Sequence, residues 1–332
     1  MTLFKSLAAV AIAAVFATAA STATAAEVTW KFAHENQETV PAAMAAHRLA
    51  DEVRQKTGGR FEIQVFPAGQ LGKEQQLVEQ AQLGTVQMTF TPTAPLTNFV
   101  PTVQLLDLPF IFPSAPAAYA VLDGPIGNEI LGALDRRGLK GLAFWESGFK
   151  QMSSSVRPIR GPEDLRGVKV RTMQSPLLIA QYKAWGANPV PISFSETYNA
   201  LQQGIADAQE NPLVSIDSMK FYEVQKFLTI TNHGYIGFIV MANKAAFDKL
   251  SPEFRKALLE ASNDARDWER TESKRVNDEL LAKMKTRMQV LELSPEGREQ
   301  FISQSRKLHA QIANPETRKL LDRVYEVTAK YK

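Results

Sequence analysis

The stretch SPEFRKALLEASNDARDWERTESKRVNDELLAKMKTRM, residues 251–288, decides how the rest of the chain is read. Ser251 offers a capping oxygen, Pro252 suits the first helical position, and Glu253 complements the helix dipole. Phe254, Leu258, Ala261, Ala265 and Trp268 keep helical spacing; after the polar run ERTESKR the apolar stripe resumes at Val276, Leu280, Met284 and Met288. One helix from Pro252 to about Met288 would be roughly 55 Å long, too long for one lobe. Two buried ends around a solvated middle suit a helix lying across two bodies. The alternative is a pair of helices broken near residues 270–275, because helices above about 25 residues are exceptional.

Outward from that segment, Ser294-Pro295-Glu296 and Asn314-Pro315-Glu316 repeat the same helix-start chemistry. Upstream, strand-like runs recur at 28–32, 61–66, 86–90, 142–145, 168–171, 206–209 and 236–242, separated in many places by helical patterns. That alternation predicts parallel sheets flanked by helices, with ligands beyond the carboxyl ends of the strands. In LQQGIADAQENPL, residues 201–213, Ile205, Ala206 and Ala208 read as a short buried strand that delivers Asp207, Gln209, Glu210 and Asn211 to such an end.

Lys5, the apolar run 7–20 and Ala23-Thr24-Ala25 form a secretory leader, residues 1–26, cleaved near Ala25 or Ala26. No stretch reaches the length of a membrane span, so the mature chain is expected to be exported rather than membrane-embedded. Most of the 332 residues remain, enough for two lobes. The chain has no cysteine, which excludes thiol catalysis, disulfides and cysteine-bound metals. A net charge of +3, with both signs mixed along the chain, does not form the clustered basic face of a nucleic-acid binder.

Chemical motifs are sparse. There is no P-loop, nucleophile elbow, dinucleotide fingerprint or HExxH. His34, His47, His233 and His309 are scattered; His34 follows the first strand and could reach a crevice, whereas His47 and His309 read as surface residues. The acids Glu35/Glu38 and Asp51/Glu52 read as charge on helix faces or N-termini. In GVKVRTMQ, residues 167–174, Arg171 ends a strand, where its guanidinium can fork onto a carboxylate or pair with an internal acid such as Glu210. Lys150, in WESGFKQMSSS, is a second cationic candidate.

Five segments together carry a family likeness: KFAHENQETVPAAMAAHRLADEVRQKTGGRFEIQVFPAGQLGKEQQLVEQAQLGTVQM (31–88), LLDLPFIF (105–112), WESGFKQMSSSVRPIRGPEDLRGVKVRT (145–172), FSETYNALQQGIADAQENPL (194–213) and YEVQKFLTITNHGY (222–235). In this order they resemble the solute-binding proteins of TRAP (tripartite ATP-independent periplasmic) transporters, the DctP family, nearest in motif to the C4-dicarboxylate binders. The resemblance implies an α/β, two-lobed periplasmic binding protein fold with a long helix crossing both lobes. The lobes would be 27–148 with about 237–270, and 149–236 with about 271–332. It further implies a periplasmic monomer that needs no cofactor and hands a small carboxylate ligand to small and large membrane permease subunits; no metal ligands are expected, although some relatives bind their acids with a metal.

By the same resemblance Arg171 holds the ligand carboxylate, Asn211 assists it, and Phe194 packs on the ligand. Glu74, Phe90 and Thr91 come from the facing lobe, with His34 and Gln174 completing the expected set. Lys150 stands where several relatives, the sialic acid binders among them, carry arginine; its segment resembles the C4-dicarboxylate binders. Pro92 stands where sialic acid binders have an acid, which argues against a sugar acid. The expectation is a C4-dicarboxylate such as succinate, malate or fumarate spanning Arg171 and Lys150. The alternatives are a keto, hydroxy or aromatic monocarboxylate, with Phe90, Trp145 and Phe194 lining an apolar site, or a secreted enzyme of organic acid metabolism using His34, Glu74 and Lys150.

Overall fold

The computed structural model describes residues 26–311 and 314–331; residues 1–25 of the expected leader lie outside the described residues. Two sheets organise the chain. The first has the order β2-β1-β3-β10-β4, built from β1 (Val28–Ala33), β2 (Phe61–Phe66), β3 (Met88–Pro92), β4 (Leu139–Phe149) and β10 (Tyr235–Asn243). The second has the order β11-β9-β5-β8-β6-β7, from β5 (Gln151–Ser154), β6 (Lys169–Thr172), β7 (Asn188–Pro191), β8 (Ala208–Asn211), β9 (Phe227–Ile230) and β11 (Gln289–Glu292). Both sheets are mixed, not parallel as expected: β10 runs antiparallel to β3 and β4, and β5 runs antiparallel to β8 and β9. The cause is topological, since β10 and β5 are the strands through which the chain crosses between the sheets.

Alternation along β10 shows how each sheet is covered on both faces. Phe238 and Val240 join Trp30, Phe32, Phe90 and Trp145 in one core, while Ile239 and Met241 join Leu105, Ile126 and Phe144 in the other. The second sheet is covered likewise, with Leu213, Phe221 and Leu228 on one side and Met152, Val170, Trp185 and Phe301 on the other.

The chain passes between sheets at residue 150, between β4 and β5, and again between β9 and β10. Gly148 sits at the first crossing with φ of 113°, a backbone setting that a side chain would strain. A third crossing is the helix Pro252–Lys285, continuous over 34 residues, or about 51 Å at 1.5 Å per residue. Ser251 caps it by accepting from the Phe254 amide at 3.2 Å. Phe254, Leu258, Ala261 and Ala265 enter the first lobe's core, and Leu280 and Met284 enter the second's.

The middle of this helix is not simply solvated, as its composition suggested. Glu269, Arg270 and Ser273 are buried. β4 is an edge strand, so its outer backbone groups lack a neighbouring strand and need other partners. Glu269 accepts from the Glu146 amide, Arg270 donates to the Phe144 carbonyl, and Asn277 donates to the Ser147 carbonyl.

The chain crosses a fourth time at its end. Helix Pro295–Ala310 places Phe301 in the second lobe, but Leu320, Leu321 and Val324 of Pro315–Thr328 pack in the first lobe's core. The sequence-based boundary had grouped residues 315–328 with the second lobe; an apolar stripe does not say which body it will cover. Among the described residues no helix is long and apolar enough to cross a membrane.

Candidate functional site

The seam between the lobes contains two adjoining narrow cavities, each of about 10 Å³, room for about one water. Asn36, Ser147, Phe194, Ser215 and Phe238 line both, and Glu74, Pro92, Met173 and Asn211 line the second. The walls are hydroxyls, amides, the carboxyls of Glu146 and Glu74 and several apolar groups, and no lysine or arginine lies in them.

Arg171, on β6 beside β8, lines neither cavity, although Met173 two residues on and Asn211 on β8 line the second. It is 1% exposed; its Nε donates to the Ile192 carbonyl at 2.9 Å, while Nη2 has no hydrogen-bond partner among the described residues. Burial lowers the guanidinium from its ordinary value, and the Glu74, Glu210 and Glu35 carboxyls oppose that shift. A buried donor left unsatisfied by the protein is suited to a carboxylate acceptor. Asn211 sits one strand over, its Nδ2 donating to Gln209 Oε1 at 2.6 Å. Gln209 in turn donates to the Ser153 hydroxyl at 2.7 Å, so the amide is held in place by a relay.

Lys150 corrects the sequence reading. It is also 1% exposed, but its Nζ lies 2.9 Å from Glu210 Oε1, and it lines neither cavity. Burial alone would raise the Glu210 carboxyl; the Lys150 charge and the His233 contact at 2.6 Å outweigh it and hold Glu210 well below its usual range. Tyr182 donates a further hydrogen bond to Glu210 at 2.8 Å. Glu210 therefore does not bind Arg171 but Lys150, because alternation on β8 turns it away from the face that Asn211 presents. Asp207 takes Lys169 instead, and Ile205, read as buried, is 49% exposed.

The first lobe's candidates divide. Glu74 lines the cavity and begins the helix Glu74–Leu83. Burial pushes its carboxyl up to about 8, with the nearby Glu35 charge adding and Arg171 opposing, so it is a hydrogen-bond donor at neutral pH. His34 is completely buried and stacked on Phe90 with ring centroids 4.6 Å apart. Burial lowers it to about 3, and neither ring nitrogen has a hydrogen-bond partner among the described residues. Phe90 and Trp145 belong to the first lobe's core rather than the cavity walls, and Thr91 only contacts the Pro92 carbonyl. Of the expected aromatic residues Phe194 lines both cavities, as does Phe238, which the sequence did not single out. Gln174 is exposed; its carbonyl accepts from Asn98 Nδ2 at 3.1 Å across the seam. His309, read as a surface residue, is half-buried and bonds the Pro109 carbonyl at 2.9 Å.

Ser147, Asn36, Ser215 and Glu35 escaped the sequence reading. Asn36 stands two beyond His34, and Ser215 four beyond Asn211, one helical turn past Pro212, so their positions after strand ends were a usable signal. Glu35 had been assigned to helix-surface charge. It is 3% exposed and accepts from the Ser195 amide at 2.8 Å and the Glu74 amide at 3.0 Å.

The family model for bacterial extracellular solute-binding protein, family 7 (DctP), matches residues 32–316. A solute-binding protein of Verminephrobacter eiseniae is 48% identical over 219 residues, covering 66% of this chain and 65% of that one, just under two thirds of its length. The 2,3-diketo-L-gulonate-binding periplasmic protein YiaO of Escherichia coli is 38% identical over 250 residues, 75% of this chain and 76% of that one. Among solved structures, a TRAP periplasmic solute-binding protein of Sulfurospirillum deleyianum with bound succinate superposes with TM-score 0.86 at 35% identity, covering 91% of this chain and 99% of that one. The sugar acid binding protein of Advenella mimigardefordensis with galactonate gives 0.87 at 33%, covering 92% and 98%.

Proposed function

Since this chain belongs to family 7 of the bacterial extracellular solute-binding proteins, the DctP family, we propose that it is the periplasmic capture subunit of a TRAP transporter for a small hydroxylated monocarboxylate, a sugar acid. It closes its lobes on the acid and presents the closed form to the membrane permease subunits. It acts as a binder, without turnover. The ligand carboxylate sits on Arg171 with Asn211, Phe194 packs on the carbon chain, and Asn36, Ser147, Ser215 and neutral Glu74 serve the hydroxyls.

The observation that carries this reading is Lys150 bound to Glu210. A C4-dicarboxylate brings two negative charges into a closed cleft, and each needs a partner there. Lys150, the expected second partner, is neutralised inside its own lobe. Hydroxyls and amides replace it along the walls, which suits a single charge and several hydroxyls. Galactonate in the Advenella structure and the diketo-gulonate of the YiaO name are acids of this kind; succinate in the Sulfurospirillum structure is the competing class.

Calorimetric titration with galactonate, erythronate, glucuronate and 2,3-diketogulonate, against succinate, malate and fumarate, tests the assignment. A hydroxylated monocarboxylate should bind at least tenfold more tightly than every C4-dicarboxylate, a gap of about 1.4 kcal/mol. The reverse order overturns the ligand class.

A further inference from the structure

The polar contacts that tie the lobes together across the seam include three that differ in exposure. Lys73 Nζ meets Glu196 Oε1 at 2.5 Å between side chains that are 45% and 55% exposed, and Asn98 donates to the exposed Gln174 backbone. Both compete with water. The third contact does not, because Glu35 is buried. Its Oε2 accepts from the Glu74 amide within the first lobe, and its Oε1 accepts from the Ser195 amide of the second. Ser195 follows Phe194, whose ring is one of two that line both cavities.

One carboxylate thus grips the first turn of the helix that carries Glu74 and the turn that carries Phe194. When the lobes separate, the bond to Ser195 must break while the bond to Glu74 can persist, since only the first joins different bodies. Hydrogen bonds to an ionised acceptor are stronger than neutral ones, and more so away from water.

We infer that Glu35 is a closure latch, a positioning residue that holds the Phe194 turn against the first lobe in the closed form. Its effect falls on the open–closed equilibrium and on the rate of reopening. Both oxygens of Glu35 accept from backbone N–H groups, so glutamine, with one acceptor and an NH2 that faces a second donor, satisfies only one of them.

The latch rests on the two-lobe closure reading and uses acids as probes. The chain has no cysteine, so Leu83→Cys and Val156→Cys, at exposed sites on opposite lobes, accept a clean pair of spin labels. Interlobe distances are then measured with no addition, with galactonate and with succinate, in the labelled parent and with Glu35→Gln added. Glu35→Gln should shift the acid concentration giving half closure upward by about tenfold, the effect expected for one charge-assisted bond, and should speed reopening. Its melting temperature without acid should stay near the parent's. An equal closed fraction in both proteins under every condition overturns the latch, including the case in which neither closes. Failure of both acids to close the parent counts separately against the ligand reading. Should Glu35→Gln not fold, amide exchange at Ser195 in the unmodified protein decides: slower exchange on closure supports the latch, and an unchanged rate overturns it.

Discussion

Arg171 and Lys150 stand in the same lobe, Arg171 within β6 and Lys150 just before β5, each 1% exposed, yet of the two only Arg171 has a buried polar atom with no partner among the described residues. The difference lies in their neighbours. Lys150 meets Glu210 at 2.9 Å with His233 and Tyr182 closing the network, whereas Arg171 spends one N–H on a backbone carbonyl and feels the acids around it only at a distance. A buried cation serves a ligand when the protein has withheld its internal counter-ion, and serves the fold when it has not.

The comparison breaks most visibly at Lys150. Replacing it with methionine leaves Glu210 ionised in the interior, and loss of one partner of a buried pair costs about 3 to 5 kcal/mol. Urea unfolding of Lys150→Met should show that loss, and adding Glu210→Gln should recover part of it. An unchanged midpoint would place Lys150 in the same class as Arg171, free for a ligand.

Arg171→Ala should invert the pattern, with the fold nearly unchanged but binding of the preferred acid weakened by about 2 to 5 kcal/mol, as when one partner of a desolvated charge pair is removed. Calorimetry on the folded variant checks this, and undiminished affinity would reassign Arg171 to structure.

Glu74 sharpens the same contrast through pH. Burial pushes its carboxyl up to about 8 from the ordinary 4.5, so a closure that buries it takes up a proton. A raised carboxyl favours the closed form below its exposed value, and the advantage is lost as pH rises toward about 8. Affinity should therefore fall with rising pH across that window, by up to about tenfold per unit, or roughly 1.4 kcal/mol. Glu74→Gln should flatten the titration; a slope identical to the parent's would assign the proton to another group. The smallest effect is expected at Gln174, whose side chain is exposed and whose contribution across the seam is a backbone carbonyl. Gln174→Ala should change affinity by less than about 0.5 kcal/mol, as exposed substitutions do, in the same calorimetric assay.

The long helix was legible in the sequence because periodicity and capping are local: Ser251, Pro252 and the stripe from Phe254 to Met284 lie in the chain in the order in which they act. Arg171 and Asn211 were likewise legible as cleft candidates, since a strand end can be read from neighbours, whereas Phe194 came only from the family resemblance. Glu35 was not legible. Its two partners are 39 and 160 residues away, so nothing within a window of sequence distinguishes it from an ordinary surface acid.

What the sequence by itself determined was the inventory: no cysteine chemistry, strands alternating with helices, a helix too long for one lobe, and a short set of polar groups at strand ends. What only the tertiary structure decided was pairing. Whether Glu210 neutralises Arg171 or Lys150, whether the polar middle of the helix meets water or the edge of β4, and which lobe receives residues 315–328 all depend on contacts between distant segments. Charge and hydrogen-bond complementarity act over a few ångströms in space, and the residues that meet at that range are selected by the packed fold rather than by their separation along the chain.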